Sequence, residues 1–235
     1  MKAIFKREID NYLTNPMGYV FLGIFVLIFS GIFCYINLYG LTSSDISYSF
    51  QWMIYAMLGL MPLLTMRLMA EESAMKTDQL LLSSPLTASS IVTGKFFAVM
   101  ALVCLALVFT MPHIVILILR GNPAFGTTLL AYFGFILYSA VYASIGLFIS
   151  SLTENQVVSA VITFATFIAM LVLEILLVPS IQNPILYKML GGISFASRYV
   201  DFSLGILNIT SVIYYISIAA LFNYFTVLSI ERRRW

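Results

Sequence analysis

Few side chains in this 235-residue sequence could do chemistry, and they stand far apart. Glu174 is the one carboxylate inside an apolar run of membrane-spanning length, and an ionisable group so placed is by default a candidate for a translocation pathway. It stands about one helical turn from Pro179, within reach of interfacial water. His113, the sole histidine, follows Pro112; beside such a kink it reads first as a hydrogen-bonded structural group and second as a ligand. Met53, Met57 and Met61 recur at i, i+4 and i+8. Their thioethers could pass a soft metal such as Cu(I), but methionine is also a routine filler of irregular gaps. Gly59 and Pro62 in the same stretch read as a bend that could open a central pathway. Cys34 and Cys104, both deep in apolar runs, make neither a disulfide framework nor a zinc site. With one histidine, no carboxylate pair in the apolar runs and no Gly-x-Ser-x-Gly, an intramembrane hydrolase has little to use. Gly191-Gly192 reads as a flexible break.

The elements that must carry these residues are set by composition. Hydrophobic residues make up 61% of the chain and charged ones 9%, with a mean hydropathy of +1.01. A soluble domain carries about 25% charged residues, so a water-soluble enzyme and a disordered region are excluded. Net charge is +2 and the longest basic tract is Arg232–Arg234, which excludes a nucleic-acid binder. Charge-free stretches lie between Asp10 and Asp45 and across 46–66, 96–119, 121–153, 155–173 and 202–230. A spanning helix needs about 20 apolar residues, so each stretch holds one span. The expected spans are 17–39, 49–69, 96–119, 128–150, 156–178 and 210–230. The fold class is all-α: a polytopic membrane protein with six transmembrane helices in a single domain over 1–235.

Lysines and arginines set the orientation. With the N-terminus inside, Lys2, Lys6, Arg7, Arg67, Lys76, Lys95 and Arg232–Arg234 are cytoplasmic, against Arg120, Lys188 and Arg198 outside. Both termini are then cytoplasmic. The first apolar run is too long for a signal peptide core. Residues 2–14 put Ile4, Phe5, Ile9, Tyr12 and Leu13 on one helical face, with Lys2, Lys6, Arg7 and Asp10 largely opposite. That is an interfacial amphipathic helix, stopped by Asn15-Pro16, which serves as an anchor or as a lever to a cytoplasmic partner.

Two loops exceed what a connection needs. The inner one, 70–95, opens with a polar helix-favouring run carrying Glu71, Glu72, Lys76, Asp78 and Gln79, and then shows an apolar patch at Leu80–Leu82. Pro85 stops that helix, and a second short helix over about 88–95 feeds span three. So short a loop cannot bury three leucines, so they must lie on lipid or on another protein. The outer one, 179–209, is too polar for a span and too apolar for water. It reads as short helices dipping into the outer leaflet, covered by protein or lining a cavity.

Arg67-Leu68-Met69-Ala70-Glu71-Glu72, then Thr77, Leu80-Leu81, Pro85 and Ile91 through Gly94-Lys95-Phe96 resemble the permease subunits of ABC-2 type transporters. The branch with gliding-motility and nitrous-oxide-reductase-maturation permeases looks closest. Tyr12–Val20 and Leu228–Trp235 look similar to the same branch, so the resemblance spans the chain. Where the family commonly shows Gly-Thr-x-Glu-Leu, this chain has Lys76-Thr77-Asp78-Gln79-Leu80, which alters the turn and one carboxylate.

The resemblance implies that 71–85 contains a coupling helix. Glu71, Glu72, Lys76, Thr77, Asp78, Gln79, Leu80, Leu81, Leu82 and Pro85 would then dock in a cleft of a separate ATPase subunit, present in two copies. It implies a second permease, identical or a paralogue, with Trp52, Tyr55, Gly59 and Glu174 at the central cleft. It also leaves room for an extracytoplasmic accessory subunit and points to a bacterial inner or plasma membrane. ATP and magnesium would sit on the ATPase; this chain binds no cofactor. Gly94-Lys95 is no phosphate loop, because Ser89 stands where the first glycine is needed and Phe96 follows the lysine. The expected function is the permease of an ATP-driven exporter; the alternatives are a non-transporting scaffold that docks a cytoplasmic partner and, last, an intramembrane enzyme.

Overall fold

In hydrocarbon a backbone must satisfy its own polar groups, so long apolar runs become helices. The computed structural model describes residues 1–39, 45–76, 87–120, 124–177 and 194–234. Among these there is no strand. Six helices are long and apolar enough to cross a membrane: Pro16–Tyr39, Ser47–Ala74, Ala88–Leu119, Phe125–Leu152, Gln156–Ile175 and Ile209–Arg232. The elements are α1 (Lys2–Thr14), α2 (Pro16–Phe33, continued by a π-helical stretch Cys34–Tyr39), α3 (Ser47–Thr65) and α4 (Ala70–Ala74). They continue with α5 (Ala88–Arg120), α6 (Phe125–Leu152), α7 (Gln156–Val172, ending in a π-helical turn Leu173–Leu177), α8 (Phe195–Ser203) and α9 (Ile209–Arg234).

Local signals set several boundaries. Pro16 occupies the first position of α2, where its missing N–H is no loss. The Asn155 side chain accepts from the Val157 and Val158 amides and caps α7. The short helix expected at 88–95 is not a separate element. Thr87 accepts the Ser90 amide and the Thr93 hydroxyl bonds back to the Ser89 carbonyl, so one helix runs unbroken from Ala88 to Arg120.

The six spans are not equivalent. Spans two and four are 67% and 72% buried and form the centre; the others surround them. For span four the reason is size: α6 carries Gly134, Ser139, Ala143, Ser144, Gly146 and Ser150 on its buried surface, and small residues let helices approach closely. A Cβ on Gly146 would stand 2.3 Å from Thr65 Oγ1. Phe21, Phe25, Phe29 and Phe33 form one buried stripe of α2, with Phe25 edge-on to Phe135 and Phe29 tilted against Phe50.

Met53, Met57 and Met61 are fully buried in this core, where a thioether packs as a gap-filler. His113 is tied on both sides. Its Nδ1 donates to the Thr110 carbonyl at 3.1 Å, which leaves Nε2 to accept from the Ser30 hydroxyl at 2.9 Å, and Phe29 and Phe33 stack edge-on against the ring. That is the structural role.

Candidate functional site

The charges of the polar end of the bundle converge at the head of the 70–95 segment. α1 lies across α2 and α5 with Ile4, Glu8 and Tyr12 facing inward, four residues apart. Two close approaches seat it. A Cβ on Gly18 would stand 2.2 Å from the Tyr12 carbonyl oxygen, and one on Gly94 would meet the Ile4 side chain at 3.0 Å.

Beneath α1 is Lys95, only 1% exposed, at the start of the apolar part of α5. Its ammonium has three protons to place and three oxygens around it: the Leu68 carbonyl, Glu72 at 2.8 Å and Glu8 at 3.3 Å. Arg7 closes the group from outside, 2.5 Å from Glu72 and 2.6 Å from Glu8. Arg67 pairs with Glu71 at 3.0 Å. Three cations face three carboxylates.

This cluster also repairs a helix end. α3 stops at Thr65 and leaves carbonyls without helical partners. The Tyr12 hydroxyl donates to the Leu64 carbonyl at 2.8 Å and Lys95 to that of Leu68. Burial pushes the Tyr12 phenol far above its ordinary range, so it stays a donor. At the other side of the turn Ser150 of α6 accepts the Met69 and Ala70 amides at 3.1 and 3.2 Å and donates to the Met66 carbonyl. α4 has no cap of its own; α6 supplies one. The five-residue α4 is thereby fixed to α1, α5 and α6 at once.

Of the docking residues expected from the sequence, the structure describes Glu71, Glu72 and Lys76. Glu72 turns inward to Lys95 and Arg7, and Glu71 pairs along its own chain with Arg67. Thr77, Asp78, Gln79, Leu80, Leu81, Leu82 and Pro85 lie outside the described residues. Sequence reasoning passed over Glu8. A carboxylate spaced four residues from both Ile4 and Tyr12, in the middle of an apolar stripe, was the available signal.

Lys76 closes α4 with φ of 54°, the left-handed conformation that favours glycine, and its amide bonds the Ser73 carbonyl. The backbone here takes the geometry that a glycine would adopt freely. Lys76→Gly is expected to stabilise this turn by about 0.5–1 kcal/mol and Lys76→Val to destabilise it by at least as much. Amide hydrogen exchange at Met75 and Lys76 in the two variants would check the sign.

At the opposite end Glu174 sits in the π-helical turn that ends α7. Its carboxylate accepts the Ser194 hydroxyl and, at 2.8 Å, the Ser197 amide, so it caps the N-terminus of α8, where a negative charge is favoured. α8 is tucked against the bundle: Tyr199 donates to the Ala131 carbonyl, Gln51 to Ser203, and the Phe195 carbonyl accepts from Tyr215. Arg198 lies 4.1 Å over the Tyr214 ring. Gly191-Gly192, Pro179 and Lys188 lie outside the described residues.

Trp52, Tyr55 and Gly59 share one stripe of α3 with Tyr48 and Leu63, at spacings of four and three residues. The stripe is open although α3 is otherwise buried: Trp52 is 61% exposed and nothing lies within 4 Å of a Cβ on Gly59. α3 packs beside α7, the helix whose π-helical turn carries Glu174.

The described residues thus form an α-helical protein with six helices long and apolar enough to cross a membrane, a charge-locked N-terminal helix and a short helix pinned at the head of the 70–95 segment. The family model described as ABC-2 family transporter protein matches residues 2–232. The chain belongs to the ABC-2 family of transporter proteins, and it is a multi-pass membrane component, not itself an ATPase. Among curated proteins, none matches it.

Proposed function

We propose that this chain is the permease of an ATP-driven exporter, two copies of it, or one and a paralogue, working with two copies of a separate ABC ATPase. ATP and magnesium bind to the ATPase. Both termini and the 70–95 segment face the cytoplasm of a bacterial inner or plasma membrane, in keeping with the nine-to-three bias of basic residues. The resemblance points to the branch of the gliding-motility and nitrous-oxide-reductase-maturation permeases, and the complex has room for an extracytoplasmic accessory subunit.

One observation carries the reading: α4 is fastened to three other helices through Glu72, Lys95 and Ser150. A push delivered to 77–86 by a closing ATPase reaches α1, α5 and α6 together instead of bending a loop. The exposed stripe of Trp52, Tyr55 and Gly59 fits the wall of a cleft between two permeases, with Glu174 at its outer end.

The test uses the permease coexpressed with its ATPase, in a background without Cys34 and Cys104. Cysteines placed at Trp52 and Gly59 are expected to crosslink between two permease chains, with a yield that changes when a non-hydrolysable nucleotide is added. An ATPase that copurifies while the crosslink ignores nucleotide would favour a scaffold. Absence of both would remove the transporter assignment.

A further inference from the structure

We propose that α1 and α5 together hold one anionic phospholipid, its acyl chain in a groove of about 630 Å³ and its headgroup on Lys2 and Lys6. The groove opens between α1, α5 and α6 and is lined by Lys2, Phe5, Phe97, Met100, Cys104 and Ala140. Its volume lies in the range of small-molecule sites, and apart from Lys2 these linings are apolar, so water and polar solutes gain nothing there.

Length identifies the occupant. From Phe96 to Cys104 the groove follows α5 for eight residues, about 12 Å of helix. One leaflet of hydrocarbon is about 15 Å deep. The groove therefore runs through most of one leaflet from the level of α1, which suits an acyl chain and leaves its glycerol and phosphate beside α1.

Charge selects the headgroup. Lys2 lines the mouth, and Lys6, one turn along the same helix face, is also exposed. Lys95 and Arg7, close by, are engaged with Glu8 and Glu72. Two exposed lysines above an apolar slot match a phosphate with net negative charge. The consequence is mechanical: the lipid wedges α1 against α5 beside the Lys95 cluster, so the elbow responds to the anionic lipid content of its leaflet.

The inference rests on α1 lying at the membrane surface, but it does not need the ATPase. The permease alone is placed in phosphatidylcholine vesicles that contain a trace of phosphatidylglycerol or of phosphatidylcholine carrying a photoreactive diazirine on its acyl chain. The phosphatidylglycerol probe is expected to label residues 96–104, and Lys2→Ser with Lys6→Ser to reduce that labelling about tenfold. Because both lysines are exposed, this variant keeps its fold, which a thermal melt verifies. Ala101→Phe, which fills the groove, should reduce labelling by either probe. Equal labelling by the two probes that ignores the lysines would show an ordinary lipid-facing surface and overturn the proposal, as would labelling confined to other spans. No ATPase is present in this experiment, so labelling as expected supports this site whatever the crosslinking test says of the transporter reading.

Discussion

Replacing Lys95 with methionine is expected to destabilise the protein by about 3–5 kcal/mol, the usual effect of removing one partner of a buried ion pair. The side chain is nearly isosteric and apolar, so packing is kept while the charge goes. Glu8 and Glu72 are then left facing one another with only the half-exposed Arg7 between them and water. The Leu68 carbonyl also loses its donor, so the exit from α3 loosens with the cluster. In a thermal melt in nanodiscs the midpoint should fall by roughly ten degrees. The triple change Lys95→Met, Glu72→Gln, Glu8→Gln should recover more than half of the loss, because no buried carboxylate then stands unpaired. Asp10→Asn, at an exposed carboxylate of α1, should change little. A Lys95→Met midpoint within a degree or two of the unmodified protein would mean that the cluster does not hold α1, α4 and α5 together.

The second large effect lies in the 70–95 segment. Changing Leu80, Leu81 and Leu82 together to serine is expected to release the ATPase while leaving the six spans inserted, since none is touched. A well-packed interface anchor is worth upwards of about 2 kcal/mol, and three such residues do not add simply. A loss of copurifying ATPase by about a hundredfold, with ATP hydrolysis in the reconstituted complex uncoupled from the permease, is the expected result. The neighbouring glutamates separate two kinds of failure. Glu71→Lys changes a partly exposed charge on Arg67 and should slow association modestly. Glu72→Lys drives a third cation against Lys95 and Arg7 and should break the seat itself. Normal ATPase binding and turnover in the triple leucine variant would deprive 71–85 of its coupling role.

Much of the architecture is legible in the chain because a bilayer leaves it few options. Charge-free runs of spanning length must be helices, so six spans follow from where 22 charged residues stand. Asn15-Pro16 separates α1 from α2 for local reasons, and the apolar periodicity of residues 2–14 marks an amphipathic helix. What periodicity leaves undecided is which side of α1 meets protein. Ile4, Glu8 and Tyr12 are buried, while Leu13 stands open. A glutamate can lie on the inward side only because Lys95, 87 residues away, is there to pair with it.

The sequence by itself determined the solvent, the number of spans, their order and the asymmetry of basic residues, since hydropathy and charge act locally and add along the chain. Only the tertiary structure decided which spans form the centre. Spans two and four are not the most apolar; the small and hydroxylated residues of span four, such as Gly146 against Thr65, permit contacts that lipid cannot offer. It also decided that the methionine ladder is core, that His113 is tied on both sides, and that Glu174 caps α8 twenty residues downstream. Each of these depends on a partner from another helix, and a residue's partner is fixed by packing in three dimensions, which spacing along one helix does not encode.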